Sequence, residues 1–307
     1  MEKLGSTCIQ ETFAEAFGMA FTRLWITAHD PYWLDAAVRE VTGYGSSVIA
    51  CDAETGLESW LAPDQTPDGR PGAAVLLFAF STEKLARAAP QRVGQCLMTC
   101  PTTAVYDGLA DAERRFPLGK HLRFFGDGYQ KSKLLAGARY WRIPVMDGEF
   151  LVQESLGVGR GVAGGNLVLQ TRDVASGLAA ARRAVQAVAA RPGAITPFPG
   201  GVVRSGSKVG SRYKGLVAST ADAYCPTLRG RVTSRLHPEA NCAYEVVIDG
   251  VSQEAVAAAM VAALRAAAGD EVLAIGAGNY GGKLGKFTFP LRDLLQSTHF
   301  GNEGAPT

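Results

Sequence analysis

The order of predicted elements occurs twice along the chain, and that recurrence restricts the fold more than any single motif. In the first half, residues 21–27 (FTRLWIT) read as a strand. Asp30-Pro31 then opens a helix, Asp as a cap and Pro with φ already set for the first turn. Residues 47–51 (SVIAC) read as the next strand. A buried strand at 74–80 (AVLLFAF), a helix over 81–93 with a break at Pro90, and the segment 97–106 complete the series. In the second half, a strand at 166–170 (NLVLQ), a helix over 173–191 and the stretch AITPF repeat the first part. A strand at 243–248 (AYEVVI), an Ala-rich helix over 252–268 and a strand at 271–275 repeat the rest. Residues 120–125 and 140–145 add further strands. Each half is a split βαβ pattern. The expected fold is therefore α/β (α+β): two tandem ferredoxin-like sandwich lobes related by duplication, with mostly antiparallel sheets. The boundary falls near residue 150, giving lobes 1–149 and 150–307. Ligands of such a pair are expected at a junction of lobes or subunits.

The totals exclude several classes. The chain is 47% hydrophobic, so a sizeable core is available. With 31 basic and 29 acidic residues and no long run of either, nothing points to nucleic acid or a membrane surface. The apolar stretch 255–268 is interrupted by Arg265 and is too short to span a bilayer. No signal peptide is visible at the N-terminus. The six cysteines are scattered, and the four histidines (His29, His121, His237, His299) give no zinc spacing, so no metal site is expected. Reduced thiols and a cytoplasmic location follow.

Residues 193–211 (GAITPFPGGVVRSGSKVGS) are the densest polar feature. Pro197 and Pro199 fix φ and remove N–H donors, while Gly200 and Gly201 permit positive φ. Arg204, Ser205, Ser207 and Lys208 place cations and hydroxyls in one short span. The segment is either a surface loop between strands or the wall of a ligand site. A second glycine loop, 276–285 (GAGNYGGKLG), carries Asn279, Tyr280 and Lys283, and is either a hairpin turn or a ligand contact. Thr99, Thr102 and Thr103 mark a polar kink (TCPTT) whose plainer reading is a strand bulge.

Two phosphate-binding patterns fail on context. Gly159-x-Gly161-x-x-Gly164 leads into a strand and not a helix, and no acid follows about 20 residues on. In the span 201–208 the lysine comes one residue late, and Val209 replaces the Ser or Thr of a P-loop. There is no G-x-S-x-G elbow and no Cys with a nearby His, so covalent catalysis is not indicated. Glu245 is the sharpest single residue. Strand alternation puts it on a face with Ala243 and Val247. A carboxyl there is desolvated and titrates high, so that its neutral form can donate a hydrogen bond to an oxyanion. The alternative is a solvated sheet edge with an ordinary surface charge.

Several long runs resemble one family. They are ETFAEAF (11–17), TGYGSSVI (42–49), TPDGRPG (66–72), GQCLMTCPTTAVYDGL (94–109), VAGGN (162–166), ITPFPGGVVRSGSKVG (195–210) and AGNYGGKLGKF (277–287). On these runs, spread over nearly the whole chain, it is similar to formylmethanofuran–tetrahydromethanopterin formyltransferases. The resemblance implies two α/β sandwich lobes, a homotetramer or dimer of dimers, and active sites near subunit contacts. It implies reversible formyl transfer between a ring nitrogen of tetrahydromethanopterin and the amine of methanofuran. Both are carrier substrates, and no metal or prosthetic group is involved. The glutamate of the family's YE strand falls on Glu245, with a role at the tetrahedral stage. On this reading Gly200 and Gly201 add backbone donors, Arg204 and Lys208 meet anionic carrier tails, and Thr102, Thr103 and Asn279 orient the bound heterocycle or amide. The near-neutral, Ala- and Arg-rich composition departs from the acid-rich methanogen members and suits a methylotroph branch. That setting implies a role in formaldehyde oxidation to formate, beside formylmethanofuran-hydrolysing partner subunits. A non-catalytic pterin-binding subunit is the rival reading.

Overall fold

The computed structural model describes residues 2–135 and 137–296; His299 lies outside them. Contacts group the chain into two units, Met19–Gly161 and a second made of Met1–Gly18 with Val162–Thr307.

The first unit follows the chain through β1 (Phe13–Thr27, entering this unit at Met19), α1 (Pro31–Thr42), β2 (Glu54–Leu61), β3 (Gly72–Ala79), α2 (Thr82–Arg92) and β4 (Ala104–Asp107). β1 pairs antiparallel with β3, Leu24 opposite Val75, and with β4, Ile26 opposite Val105. β2 pairs antiparallel with β3. The order β2-β3-β1-β4 is that of a split βαβ sheet. β5 (Ala138–Val145) and β6 (Gly148–Gln153) extend it, β6 parallel to β4 and β5 antiparallel to β6. Asp30 caps α1 by accepting the N–H groups of Tyr32 and Trp33, with Pro31 in the first turn. Leu34, Val38 and Val41 of α1 and Leu85 and Ala89 of α2 share one buried cluster with Leu24, Ile26, Val75 and Leu77.

The second unit contains β7 (Ser155–Thr171, entering at Val162), α3 (Val174–Ala189), the short strand Ala194–Ile195, β8 (Cys242–Gly250), α4 (Gln253–Ala267) and β9 (Val272–Ala277). β8 pairs antiparallel with both β7 and Ala194–Ile195, and β9 pairs antiparallel with β7. Taken as first, second, third and fourth strands, these stand in the same order as their counterparts in the first unit. The duplicated fold is therefore present in the pairing as well as in the element order. α3 and α4 pack together, and Ala180, Ala184, Ala259 and Ala263 are among the residues they contribute to one buried cluster. Thr7–Ile9 runs parallel to β9, and Phe287–Pro290 runs antiparallel to the first residues of β1.

Three expectations need adjusting. Residues 47–51 are turns: the Val48 N–H goes to the Glu54 side chain and the Cys51 N–H to the Ser47 carbonyl, so these amides close local loops. The second strand is Glu54–Leu61. Residues 120–125 are helical, in Gly119–Leu122 and Arg123–Gly126. Pro90 stands inside α2, and the chain continues through a wide helical turn, Val93–Leu97, so the fourth strand begins only at Ala104. By contacts, residues 1–18 group with the second unit and 150–161 with the first. The strands β1 and β7 each run from one unit into the other, so no loop marks the division. Gly159, Gly161 and Gly164 all lie within β7, in keeping with the rejected dinucleotide pattern.

Candidate active site

The site is built on the second unit. Pro199–Gly201 forms a tight turn closed by the Gly201 N–H on the Phe198 carbonyl, 2.7 Å. Gly201 has φ +76°, and a Cβ there would stand 2.6 Å from Val185 and 2.7 Å from the Thr196 hydroxyl, so only glycine fits. The turn sends the chain back along β8, where Val203 and Glu245 exchange both backbone hydrogen bonds, 2.7 and 3.0 Å. The segment then leaves the sheet and encloses a cleft of about 350 Å³ with the β9 end and residues 221–225.

Glu245 is half-buried on the wall of that cleft. On β7 it faces Val168, and Asn166 stands two residues along on the same face, a diagonal neighbour. The Asn166 Nδ2 donates to Glu245 Oε1 at 2.7 Å, while the Asn166 Oδ1 is buried with no partner among the described residues. Gly278 closes the other side: a Cβ there would stand 3.2 Å from Glu245 Oε1 and from the Asn166 side chain. Burial pushes the Glu245 carboxyl up to about 7, against the pull of the Asn166 hydrogen bond. Near neutral pH the group is present both as a proton donor and as an acceptor.

Around the carboxyl the cleft is lined by Arg204, Ser205, Ser207, Lys208, Asn279 and Tyr280, all expected from the sequence. The side chains of Lys208 and Asn279 are already engaged. Lys208 is ion-paired with Asp222. The Asn279 amide donates to the Thr12 hydroxyl at 3.0 Å and the Phe13 carbonyl at 3.1 Å. Gly200, Gly201 and Lys283 do not line this cleft, and the Gly201 N–H is spent in its own turn. Thr99, Thr102 and Thr103 belong to the other unit. There the Thr99 and Thr103 hydroxyls donate to the Gln95 and Leu97 carbonyls. Thr102, at φ 64°, donates its N–H to Asp147 and accepts the His29 N–H. Their hydroxyls hold the chain turn between α2 and β4.

Sequence reasoning did not single out Asn166, Tyr224, Arg235 or Glu15. Asn166 carried a signal, a polar residue on one face of NLVLQ. Tyr224 and Arg235 come from loops whose meeting no local pattern shows. Burial raises the Tyr224 phenol, which Arg235 pulls back by charge and hydrogen bond, and both line the cleft. Among the described residues no group of three or more His, Cys, Asp or Glu side chains is placed to hold a metal ion. Among the same residues no helix is long and apolar enough to cross a membrane.

With this geometry in place, comparison with known proteins decides the family. The profile described as formylmethanofuran-tetrahydromethanopterin formyltransferase matches residues 2–145, and that of its proximal lobe matches residues 148–294. The chain belongs to this family. It is 51% identical over 291 residues to the formylmethanofuran–tetrahydromethanopterin formyltransferase of Methylococcus capsulatus, covering 94% of this chain and 97% of that one. The solved structure of the Methanosarcina barkeri enzyme matches with a TM-score of 0.91 at 42% identity, over 95% of this chain and 100% of that one. The formyltransferase/hydrolase complex of Methylorubrum extorquens, solved with methylofuran, contains a chain that matches with a TM-score of 0.92 at 49% identity, over 96% and 98%. Membership in the formyltransferase family makes this chain a formyl-transferring acyltransferase.

Proposed function

We propose that the cleft around Glu245 transfers a formyl group between a ring nitrogen of tetrahydromethanopterin and the amine of methanofuran by direct attack. The observation that carries this reading is the Glu245 carboxyl, poised near neutrality and held by Asn166, on the wall of a cleft lined with hydroxyls and cations. The acceptor nitrogen forms a C–N bond to the formyl carbon, and the carbonyl oxygen becomes an oxyanion. Neutral Glu245 donates a hydrogen bond to that oxygen. The donor C–N bond then breaks, the attacking nitrogen gives up a proton, and the departing nitrogen receives one. A group titrating near 7 serves both directions, because neither protonation state is costly to reach. Most of the remaining acceleration is proximity, since two large carriers must be held together.

Arg204, Arg235 and Lys208 offer positive charge to anionic carrier tails, and Ser205 and Ser207 offer hydroxyls to the heterocycle or amide. Gly200, Gly201, Lys283 and the three threonines have no role in this cleft on the present reading. Methanofuran and tetrahydromethanopterin act as carriers and not as bound prosthetic groups. The complex from Methylorubrum extorquens supports a setting beside hydrolase subunits. We place the chain in the cytoplasm as a homotetramer or dimer of dimers within such an assembly, consuming formyl groups released during formaldehyde oxidation.

The test is a transfer assay with formyl-tetrahydromethanopterin and methanofuran on the purified chain. Glu245→Ala is expected to lower kcat by about 10²–10³-fold, the usual loss for one oxyanion donor. Glu245→Gln keeps a donor but cannot move a proton, so its kcat separates the two roles. Full turnover by Glu245→Ala would overturn the assignment. Pterin binding by the wild type without any transfer would favour a non-catalytic binding subunit.

A further inference from the structure

Glu15 sits on β1, where it is 1% exposed. One of its oxygens accepts the N–H groups of Tyr280 and Gly282, both at 2.8 Å; the other accepts those of Leu284 and Gly285, at 2.6 and 2.5 Å. All four donors are backbone amides of one glycine loop. Successive loop amides converging on one point usually form a receptor for a ligand anion. Here the chain supplies the anion itself. Burial works to raise the carboxyl, but the amides of Gly285, Tyr280, Leu284 and Gly282 hold it below the usual range, so it stays charged. The same start of β1 grips the loop elsewhere. The Glu15 N–H donates to the Gly278 carbonyl at 3.1 Å, the Asn279 amide is held by Thr12 and Phe13, and the Phe17 and Tyr280 rings lie 6.1 Å apart.

The other end of this loop is the cleft. Gly278, Asn279 and Tyr280 line it, and Gly278 stands against the Glu245 carboxyl and Asn166. We propose that Glu15 is a positioning residue for formyl transfer: a permanent internal anion that keeps the 278–285 loop formed, so that Gly278 and Tyr280 bound the cleft before any carrier arrives. The inference rests on the reading of the cleft as the transfer site. Glu15 touches no reacting atom, and it acts through the loop.

Glu15→Gln is nearly isosteric, but it turns an NH2 toward two N–H donors and removes the charge. Two readouts are taken on the full-length chain. The first is limited trypsin digestion after Lys283, an exposed residue next to two of the bound amides. Cleavage there is expected to be at least tenfold faster in Glu15→Gln, with other sites unchanged. The second is kinetic: KM for at least one carrier rises tenfold or more while kcat stays within about threefold, because saturating carrier re-forms the loop. Gly282→Val attacks the same loop without altering Glu15, since a β-branched residue is strongly disfavoured at the φ of +71° found there. It is expected to show the same pattern, and it carries the test alone if Glu15→Gln fails to fold. Unchanged cleavage after Lys283, or a fall in kcat with KM unaltered, overturns the proposal. If the wild type transfers no formyl group, the reading of the cleft fails, and the digestion alone then decides the role of Glu15.

Discussion

Two glutamates on neighbouring pieces of one unit, one buried and one half-buried, have opposite fates. Glu15 meets four N–H groups and stays ionised; Glu245 meets one amide and a cleft, and rises to about 7. Desolvation with a single donor leaves Glu245 near neutral, while four N–H donors outweigh desolvation at Glu15. The consequence for stability has a definite sign. Between its ordinary value of 4.5 and about 7, folded Glu245 holds a proton that the unfolded chain has released. Stability therefore falls as pH rises through that window. Glu245→Gln cannot ionise, so its stability relative to wild type should improve by about 2 kcal/mol between pH 5 and pH 8, read by urea denaturation. Asn166→Leu removes the one bond that lowers Glu245. The limb of kcat/KM that falls with rising pH should then move to higher pH, together with a lower maximum.

At the scale of elements, β8 shows what alternation can and cannot reveal. The face of Glu245, Ala243 and Val247 was readable from NCAYEVVID, because period two is a property of any strand. Whether that face met solvent or a cleft was not readable. It depends on the path of residues 203–208, which bridge to β8 only at Val203 and then line the cleft; that path is set by the Gly201 turn some forty residues away. The same logic applied to FAEAF would have marked Glu15, an acid between two alanines in an apolar strand. Its partners, however, lie about 270 residues on in sequence, and no spacing announces them. SVIAC misled for the opposite reason: an apolar run was read as a strand when side-chain and turn hydrogen bonds had claimed its amides. Gly201 is where this scale is most exposed to test. Gly201→Ala combines positive φ with contacts under 2.8 Å to Val185 and Thr196. It should cost about 2–3 kcal/mol, seen as a Tm lower by several degrees, and should lower transfer as the cleft wall shifts.

The whole chain repeats one four-strand plan, and each copy has its own buried cluster. Yet the second copy borrows from the far end of the sequence. Thr7–Ile9 adds a strand beside β9, and residues 12–17 hold the loop that completes the cleft. Element order revealed the duplication, since each split βαβ is local in sequence. It could not reveal the borrowing, because strands added across some 260 residues leave no local trace. A fragment of residues 150–307 therefore lacks both the added strand and the Glu15 anion, and its β9 edge and the 278–285 loop are left unpaired. Such a fragment should show little cooperative unfolding by circular dichroism. Joining residues 1–18 to residues 162–296 through a flexible linker should restore a cooperative transition, because it returns Thr7–Ile9 to β9 and Glu15 to its four amides. If 150–307 alone unfolds as sharply as the joined chain, the N-terminal segment is only an accessory to this unit.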